Sequence, residues 1–434
     1  MKRDLYKQLV AWKKDPARQP LLIQGARQVG KTYLLKEFGA QEYKNCCYVN
    51  FEEMPACKAF FEADLKPHRI LRDLGIHLEM KIDPATTLII FDEIQQCPNA
   101  LTSLKYFCEH APEYSVAAAG SLLGVKLSGA QGFPVGKVHF LHLFPMSFFE
   151  FLDAIGRPML RTMLEEIKTF EPIGQPHHEQ SLELLKTYYF VGGMPKPVLR
   201  YVQTEDFNIV RETQEDILKA YVHDFAKHAP ASLVMKIMLI WDSIPIHLGK
   251  ENKKFVFSAV KKSSRARDYE ESLQWLMDAE LIYRASQITT PKLPLTSYGD
   301  HEAFKVYLLD VGLLGAMCRL PARVIVEGDQ FFVEFKGSFT ENYVAQSLKA
   351  AHASPLYYWS SERDAKVDFL LENEGHLYPL EVKSGTSTKK KSLLVYEEKY
   401  HPPILSRSSL MNLKKDGNLC NYPLYLISRF PLKT

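Results

Sequence analysis

The amino-terminal third of the chain alternates short apolar runs with segments of helical period. Short, continuous apolar runs are typical of strands buried on both faces of a parallel sheet, and the segments between them suit helices. The strand-like runs lie at 21–23, 46–53, 88–91 and 114–121, and a turn followed by a strand-like alternation lies at 132–143. Before the first of them, Leu5, Leu9 and Trp12 recur at helical spacing and predict a short amphipathic helix over residues 4–14. The pattern therefore predicts a parallel α/β sheet in this part of the chain.

The length of the chain and the periodicity of the later residues predict further domains. With 434 residues, the chain is too long for a single hydrophobic core, so we expect several domains. Residues 155–230 have helical periodicity, and residues 231–325 predict helices followed by a hairpin. The composition changes at about residue 326. We therefore expect domain boundaries after residues 154, 230 and 325.

The first apolar run leads directly into a glycine-rich turn and then a helix-forming segment. Gly25, four further residues, Gly30, Lys31 and Thr32 follow the strand-like residues and match the phosphate-binding P-loop pattern GxxxxGK[ST]. Such a turn points successive N–H groups into one concavity, and the following helix adds the positive end of its dipole. We expect Lys31 to contact the β- and γ-phosphates of ATP and Thr32 to bind Mg²⁺. The expected nucleotide-binding residues are Gly25, Ala26, Arg27, Gln28, Val29, Gly30, Lys31, Thr32 and Ser121.

Two carboxylates directly follow another buried strand. Leu88–Phe91 is wholly apolar and is followed by Asp92 and Glu93, which must lie at the carboxyl edge of a parallel sheet. We expect Asp92 to complete the Mg²⁺ shell and Glu93 to orient or deprotonate the attacking water. Ser121 ends the next strand-like run, where a small polar side chain can sense the γ-phosphate. Glu93 and Lys31 are thus the expected catalytic residues.

The motifs GARQVGKT, NFEE, LIIFDEIQ, SLKYF, AAGSLLGVKL and LHLFPMSFFEFL, in this order, resemble the core of a prokaryotic AAA+ family ATPase. The resemblance implies an α/β fold: a P-loop NTPase parallel sheet, a helical lid, a winged-helix-like middle region and a nuclease-like α/β carboxy-terminal domain. The implied domains are 1–154, 155–230, 231–325 and 326–434 respectively. The family usually has arginine where this chain has Lys137, and lysine is a poorer, non-bidentate substitute.

A second group of charged residues lies near the carboxyl terminus. A hairpin that turns at Glu374 and Gly375 places Asp368 opposite Glu381, with Lys383 on the same face. Two carboxylates and a lysine form a candidate Mg²⁺ site that resembles the PD-(D/E)xK nuclease motif, with Glu341 as the helix acid. A surface hairpin held by salt bridges explains the strand residues equally well. For Glu341 the alternative is a capping box with Ser338.

The amino-acid composition says less about function than these motifs do. The net charge of +3 is too small to indicate nucleic-acid binding by itself. One stretch is locally basic and contains Lys261, Lys262, Arg265 and Arg267. It could contact a phosphate backbone or be a solvated turn. Seven cysteines without metal-ligand spacing, and no apolar run near 18 residues, lead us to expect a cytoplasmic protein that does not span a membrane.

These observations leave three functions open. The first is an Mg²⁺-dependent ATPase that couples ATP hydrolysis to movement of the carboxy-terminal domain. The second is an ATP-gated DNA-binding protein or metal-dependent nuclease. The third is a nucleotide-dependent scaffold with a protein client. ATP and Mg²⁺ are the expected cofactors, and an oligomer is compatible with all three functions.

Overall fold

A computed structural model describes residues 1–121, 136–250, 253–261, 265–321, 337–361, 365–386 and 390–432. The chain divides into two compact units. The first comprises residues 1–144 with 278–280, and the second comprises residues 145–277 with 281–434. Each unit is built around one sheet.

The first unit contains a five-stranded sheet in which every neighbouring pair is parallel, with strand order β2-β3-β4-β1-β5. Its strands are β1 (Leu21–Gln24), β2 (Asn45–Asn50), β3 (Thr87–Asp92), β4 (Ser115–Ala119) and β5 (His139–His142). Its helices are α1 (Leu5–Lys14), α2 (Lys31–Glu42), α3 (Pro67–His77) and α4 (Pro98–His110). The predicted parallel sheet is confirmed.

Burial explains why these segments form strands and helices. Every residue of β3 is buried, which is typical of a central strand covered on both faces. In α1, Leu5, Leu9 and Trp12 form the buried face, so the predicted amphipathic helix is also confirmed. Apolar side chains from β2, β3, α3 and α4 pack into one core.

The remaining helices lie in the second unit, except for Asp278, which belongs to the first unit. They are α5 (Phe148–Ala154), α6 (Pro158–Glu165), α7 (Gln175–Val191), α8 (Pro195–Thr204), α9 (Phe207–His228), α10 (Ala231–Leu248), α11 (Phe257–Val260), α12 (Ala266–Asp278), α13 (Val311–Met317), α14 (Ser338–His352) and α15 (Lys391–Tyr400). The helix α5 begins at Phe148, because Ser147 and Glu150 form a capping box at its amino terminus. Residues 155–230 are mainly helical, as their periodicity predicts.

The same unit contains an eight-stranded mixed sheet in the order β12-β13-β11-β10-β9-β8-β6-β7. Its strands are β6 (Ile282–Ile288), β7 (Gly299–Leu308), β8 (Leu356–Ser360), β9 (Lys366–Asn373), β10 (His376–Val382), β11 (Leu405–Ser409), β12 (Lys414–Asp416) and β13 (Leu419–Pro423). The hairpin β6–β7, expected in the middle region, pairs through β6 with β8. It therefore belongs to the same sheet as the carboxy-terminal strands.

The register of the β9–β10 hairpin agrees with the prediction. His376 pairs with Asn373 and Leu380 pairs with Phe369, which places Asp368 opposite Glu381. The ladder between β10 and β11 begins at Leu380, so the preceding proline lies outside it.

Among the described residues, α10 alone is long and apolar enough to cross a membrane, with a mean hydropathy of 1.4. Of its 18 residues, 39% are buried within the protein. Core helices of soluble proteins also meet this criterion.

Candidate functional sites

The turn between β1 and α2 has a backbone that only certain residues can adopt. Gly25 has φ +150°, and a Cβ at this position would lie 2.3 Å from the carbonyl oxygen of Leu143. Gln28 and Gly30 also have positive φ angles, of 66° and 98°. The helix begins at the next residue, Lys31. The loop therefore has the curled backbone and the adjoining helix amino terminus that bind phosphate groups.

Lys31 lies inside this turn. Its Nζ donates hydrogen bonds to the carbonyl oxygens of Gly25, at 2.7 Å, and Ala26, at 2.8 Å. Burial lowers the pKa of Lys31 to about 8, although Glu93 and Asp92 oppose this effect. The ammonium group is thus held at the phosphate-binding loop by acceptors that phosphate oxygens can replace.

Thr32 and Asp92 meet at the carboxyl edge of the sheet. The Thr32 hydroxyl donates to Asp92 Oδ2 at 2.8 Å, and the Tyr48 hydroxyl donates to the same oxygen at 2.8 Å. Asp92 is buried, with 2% of its surface exposed. A hydroxyl and a carboxylate are hard oxygen ligands of the kind that Mg²⁺ prefers, so this pair suits a magnesium ion carried by a nucleotide.

Glu93 is held next to this pair by two neighbours. Its Oε2 accepts hydrogen bonds from Ser121 Oγ, at 3.1 Å, and from Gln95 Nε2. Arg27 Nε in turn donates to Ser121 Oγ at 3.1 Å. Glu93 itself has the left-handed backbone, with φ 48° and ψ 43°. The structure therefore brings together the predicted residues Arg27, Lys31, Thr32, Asp92, Glu93 and Ser121.

Three of the supporting residues were not predicted from the sequence. Tyr48 and Gln95 are described above, and the buried Arg3 donates to the carbonyl oxygens of Val29, at 2.7 Å, and Phe144, at 2.6 Å. Tyr48 lies two residues before the strand end at Asn50, so strand alternation places both on one face. That periodicity is a signal by which Tyr48 could have been found. The pattern gives no comparable signal for Arg3.

Lys137, which replaces the family arginine, forms an ion pair with Glu109 at 3.2 Å. Its side chain is 41% exposed. In the middle region, Lys261, Arg265 and Arg267 are exposed, whereas Lys262 lies outside the described residues. Exposure is required of a phosphate-backbone contact but is equally typical of a solvated turn.

The carboxy-terminal candidates form a second cluster. Lys305 Nζ lies 2.7 Å from Glu341 Oε1 and 3.9 Å from Asp368 Oδ1. Lys383 Nζ lies 2.6 Å from Glu381 Oε1. Asp368 Oδ2 accepts a hydrogen bond from the N–H of residue 382, which follows Glu381. The predicted residues are therefore close in space, and Lys305 joins two of them.

The capping-box alternative for Glu341 is wrong. Gly337 is the residue that precedes α14, and the Ser338 hydroxyl instead donates to the carbonyl oxygen of Leu248 at 2.6 Å. The Glu341 carboxylate is buried and accepts hydrogen bonds from Lys253, Lys305 and Tyr307. The Glu341 carboxylate therefore makes tertiary hydrogen bonds in place of the local capping bond. Within the described ranges, no group of three or more His, Cys, Asp or Glu side chains is arranged to hold a metal ion.

Comparisons with known proteins match the part of the chain that contains the first site to a known family. Residues 17–152 match the family model of an AAA domain. Residues 182–323 and 336–426 match two domains of unknown function, DUF8612 and DUF4143.

Two curated relatives, uncharacterised proteins of Mycobacterium bovis and Mycobacterium tuberculosis, are each 35% identical over 85 residues. The match covers 19% of this chain and 18% of each relative. Similar solved structures include the Walker-type ATPase of Pyrococcus abyssi, at 14% identity and TM-score 0.44, covering 73% of this chain and 95% of that chain. The RuvB Holliday junction branch migration motor of Thermotoga maritima, at 14% identity and TM-score 0.29, covers 67% and 90%. At these values neither structure informs the chemistry of this chain.

Proposed function

Because residues 17–152 form an AAA domain, we propose that the protein binds ATP with Mg²⁺ at the P-loop and hydrolyses it. One observation carries the proposal: Thr32 and Asp92 share a hydrogen bond beside the turn that holds Lys31. This arrangement combines a cation for phosphate oxygens with two oxygen ligands for magnesium.

In the proposed complex, the Lys31 ammonium exchanges two backbone carbonyl acceptors for oxygens of the β- and γ-phosphates. The exchange keeps its hydrogen bonds and adds the attraction of a polyanion. The N–H groups between Gly25 and Thr32 supply the remaining phosphate contacts. The burial of Lys31 strengthens this electrostatic interaction because little water screens it.

Thr32 and Asp92 would hold the magnesium ion, which neutralises charge that develops on the transferred phosphoryl group. The Tyr48 hydroxyl already donates to Asp92 Oδ2 and so fixes the orientation of that carboxylate. Because of this hydrogen bond, the Asp92 carboxylate is already oriented and need not reorganise during the reaction.

Glu93 is the proposed residue that orients the attacking water. Among the described residues, Ser121 and Gln95 both donate to Oε2 of Glu93, so Oε1 is the oxygen that we assign to water. Ser121 also receives a hydrogen bond from Arg27 of the P-loop. A phosphate that attracts Arg27 would therefore alter the contacts of Ser121 and Glu93, and this connection supports a γ-phosphate-sensing role for Ser121.

We also propose that hydrolysis drives a movement of the carboxy-terminal domain, as the family resemblance implies. Fluorescence energy transfer between a label in residues 1–144 and one in residues 337–432 should change with ATP in the wild type and remain constant in Lys31→Ala. An equal response in both proteins would contradict the coupling. The exposed Lys261, Arg265 and Arg267 leave DNA as an alternative partner.

The hydrolytic function is tested with two variants. Lys31→Ala should lose ATP retention because it removes the phosphate-binding cation. Glu93→Gln should retain ATP but hydrolyse it at least about a hundredfold more slowly, because an amide cannot accept the proton of water. Equilibrium binding of labelled ATP and release of phosphate measure the two effects. Equal turnover by Glu93→Gln would remove Glu93 from the mechanism, and no ATP retention by the wild type would refute the proposal.

A further inference from the structure

The carboxy-terminal cluster differs from a metal site in how its carboxylates are neutralised. Glu341 lies on α14, which packs on the eight-stranded sheet, and accepts from Lys253 and Lys305. Lys305 lies on β7, and its ammonium is also 3.9 Å from Asp368 on β9. A lysine side chain thus stands between the two carboxylates at the place where an acidic metal site would require a cation.

The charges of the cluster balance without a metal. Its three carboxylates belong to Glu341, Asp368 and Glu381, and its three ammonium groups belong to Lys253, Lys305 and Lys383. Arg407 on β11 is the register partner of Glu381 and adds a further positive charge to the neighbourhood. A divalent ion bound here would leave a net positive charge in a largely buried place, which is strongly unfavourable.

Lys305 cannot leave this position as easily as the other lysines. Its side chain is 4% exposed, whereas the side chain of Lys383 is 29% exposed. Its ammonium also lies 4.8 Å from the ring centre of Tyr358, within the range of a cation–π interaction. Lys383 can move into solvent to make room for an ion, but Lys305 is enclosed by the helix and the sheet.

We propose that Lys305 replaces the divalent cation of a nuclease-like site, so that Glu341, Asp368 and Glu381 bind no metal and the ion pair of Glu341 with Lys305 instead fastens α14 to the sheet. Asn342, the next residue of α14, makes hydrogen bonds with the N–H of Leu308 at 2.8 Å and with its carbonyl oxygen at 3.0 Å. The polar face of the helix is therefore used for attachment to β7 along successive residues. Metal exclusion by Lys305 does not require ATP hydrolysis at the P-loop.

The test is Mn²⁺ binding, measured by electron paramagnetic resonance on the full chain without nucleotide. Wild type and Asp368→Asn should bind the same number of ions, because Asp368 holds none. Lys305→Met removes the enclosed ammonium and keeps a side chain of similar length, so it should gain one ion. That ion should be absent from Lys305→Met/Asp368→Asn.

Lys383→Met is the matched control, because it removes one positive charge from the same cluster but leaves Lys305 in place. It should gain no ion if the position of Lys305, rather than net charge alone, excludes the metal. An ion that is bound by the wild type and lost in Asp368→Asn would overturn the proposal. A folded Lys305→Met that gains no ion would also overturn it. If Lys305→Met does not fold, the comparison of wild type with Asp368→Asn decides the question.

Discussion

The ionisation of Lys31 gives a quantitative prediction for nucleotide binding. Burial lowers the pKa of this residue to about 8, and the proposed ATP complex requires its charged form. Below this pH the ammonium is already present. Above it, each binding event must first take up a proton, so the affinity for ATP falls.

The magnitude follows from linkage. Well above the pKa, uptake of one proton raises the Kd for ATP about tenfold per pH unit, which corresponds to about 1.4 kcal/mol. Between about pH 8 and about pH 10 the Kd should therefore rise roughly fiftyfold, while it only about doubles from about pH 7 to about pH 8. Lysine at its ordinary pKa would give almost no change over the same range.

Two measurements check this expectation. Fluorescence anisotropy with a labelled ATP analogue gives the Kd as a function of pH, and Lys31→Arg is the matched control because its guanidinium does not titrate in this range. Calorimetry of the wild type in buffers of different ionisation enthalpy gives the number of protons taken up, which should approach one at about pH 9. This second measurement does not depend on a variant.

A Kd that is constant up to about pH 10, together with no proton uptake, would refute the reasoning. It would mean that Lys31 remains charged in the empty loop. Equal pH dependence in wild type and Lys31→Arg would assign the effect to another group.

Three other predictions follow from particular contacts. Tyr48→Phe loses the hydrogen bond to Asp92, the proposed magnesium ligand, and should need roughly 3- to 10-fold more Mg²⁺ for half-maximal ATPase rate. An unchanged Mg²⁺ titration would contradict this role. Gly25→Ala should abolish ATP retention because its Cβ would overlap a backbone oxygen, whereas Gly156→Ala, also at positive φ but with nothing within 4 Å, should retain ATP. Burial raises the pKa of Asp310 to about 6, so the folded protein holds this proton more tightly than the unfolded chain. The free energy of unfolding should therefore fall by up to about 3 kcal/mol as pH rises from about 4 to about 6. Urea unfolding of Asp310→Asn should show a smaller fall over the same pH range.

The sequence was most informative where neighbouring residues determine the geometry. The P-loop, the helix that begins at Lys31 and the strand that ends at Asp92 depend on consecutive residues whose types limit the local backbone. The β9–β10 register was also predictable, because a short turn at Glu374 and Gly375 fixes which residues face each other. Parallel pairing then brings the ends of the strands to one edge, as expected from the order of motifs.

Partners that are distant along the chain depend on the tertiary structure. Periodicity places Tyr48 on one face of β2 but does not show that β2 lies next to β3, where its hydroxyl contacts Asp92. Glu341 shows the difference most clearly, because its partners Lys305 and Lys253 are 36 and 88 residues away. The sequence determined that this residue is an acid in the first turn of a helix. The packing of that helix on the sheet decided that lysine neutralises it, since a buried carboxylate must find a positive charge among the side chains that folding brings near.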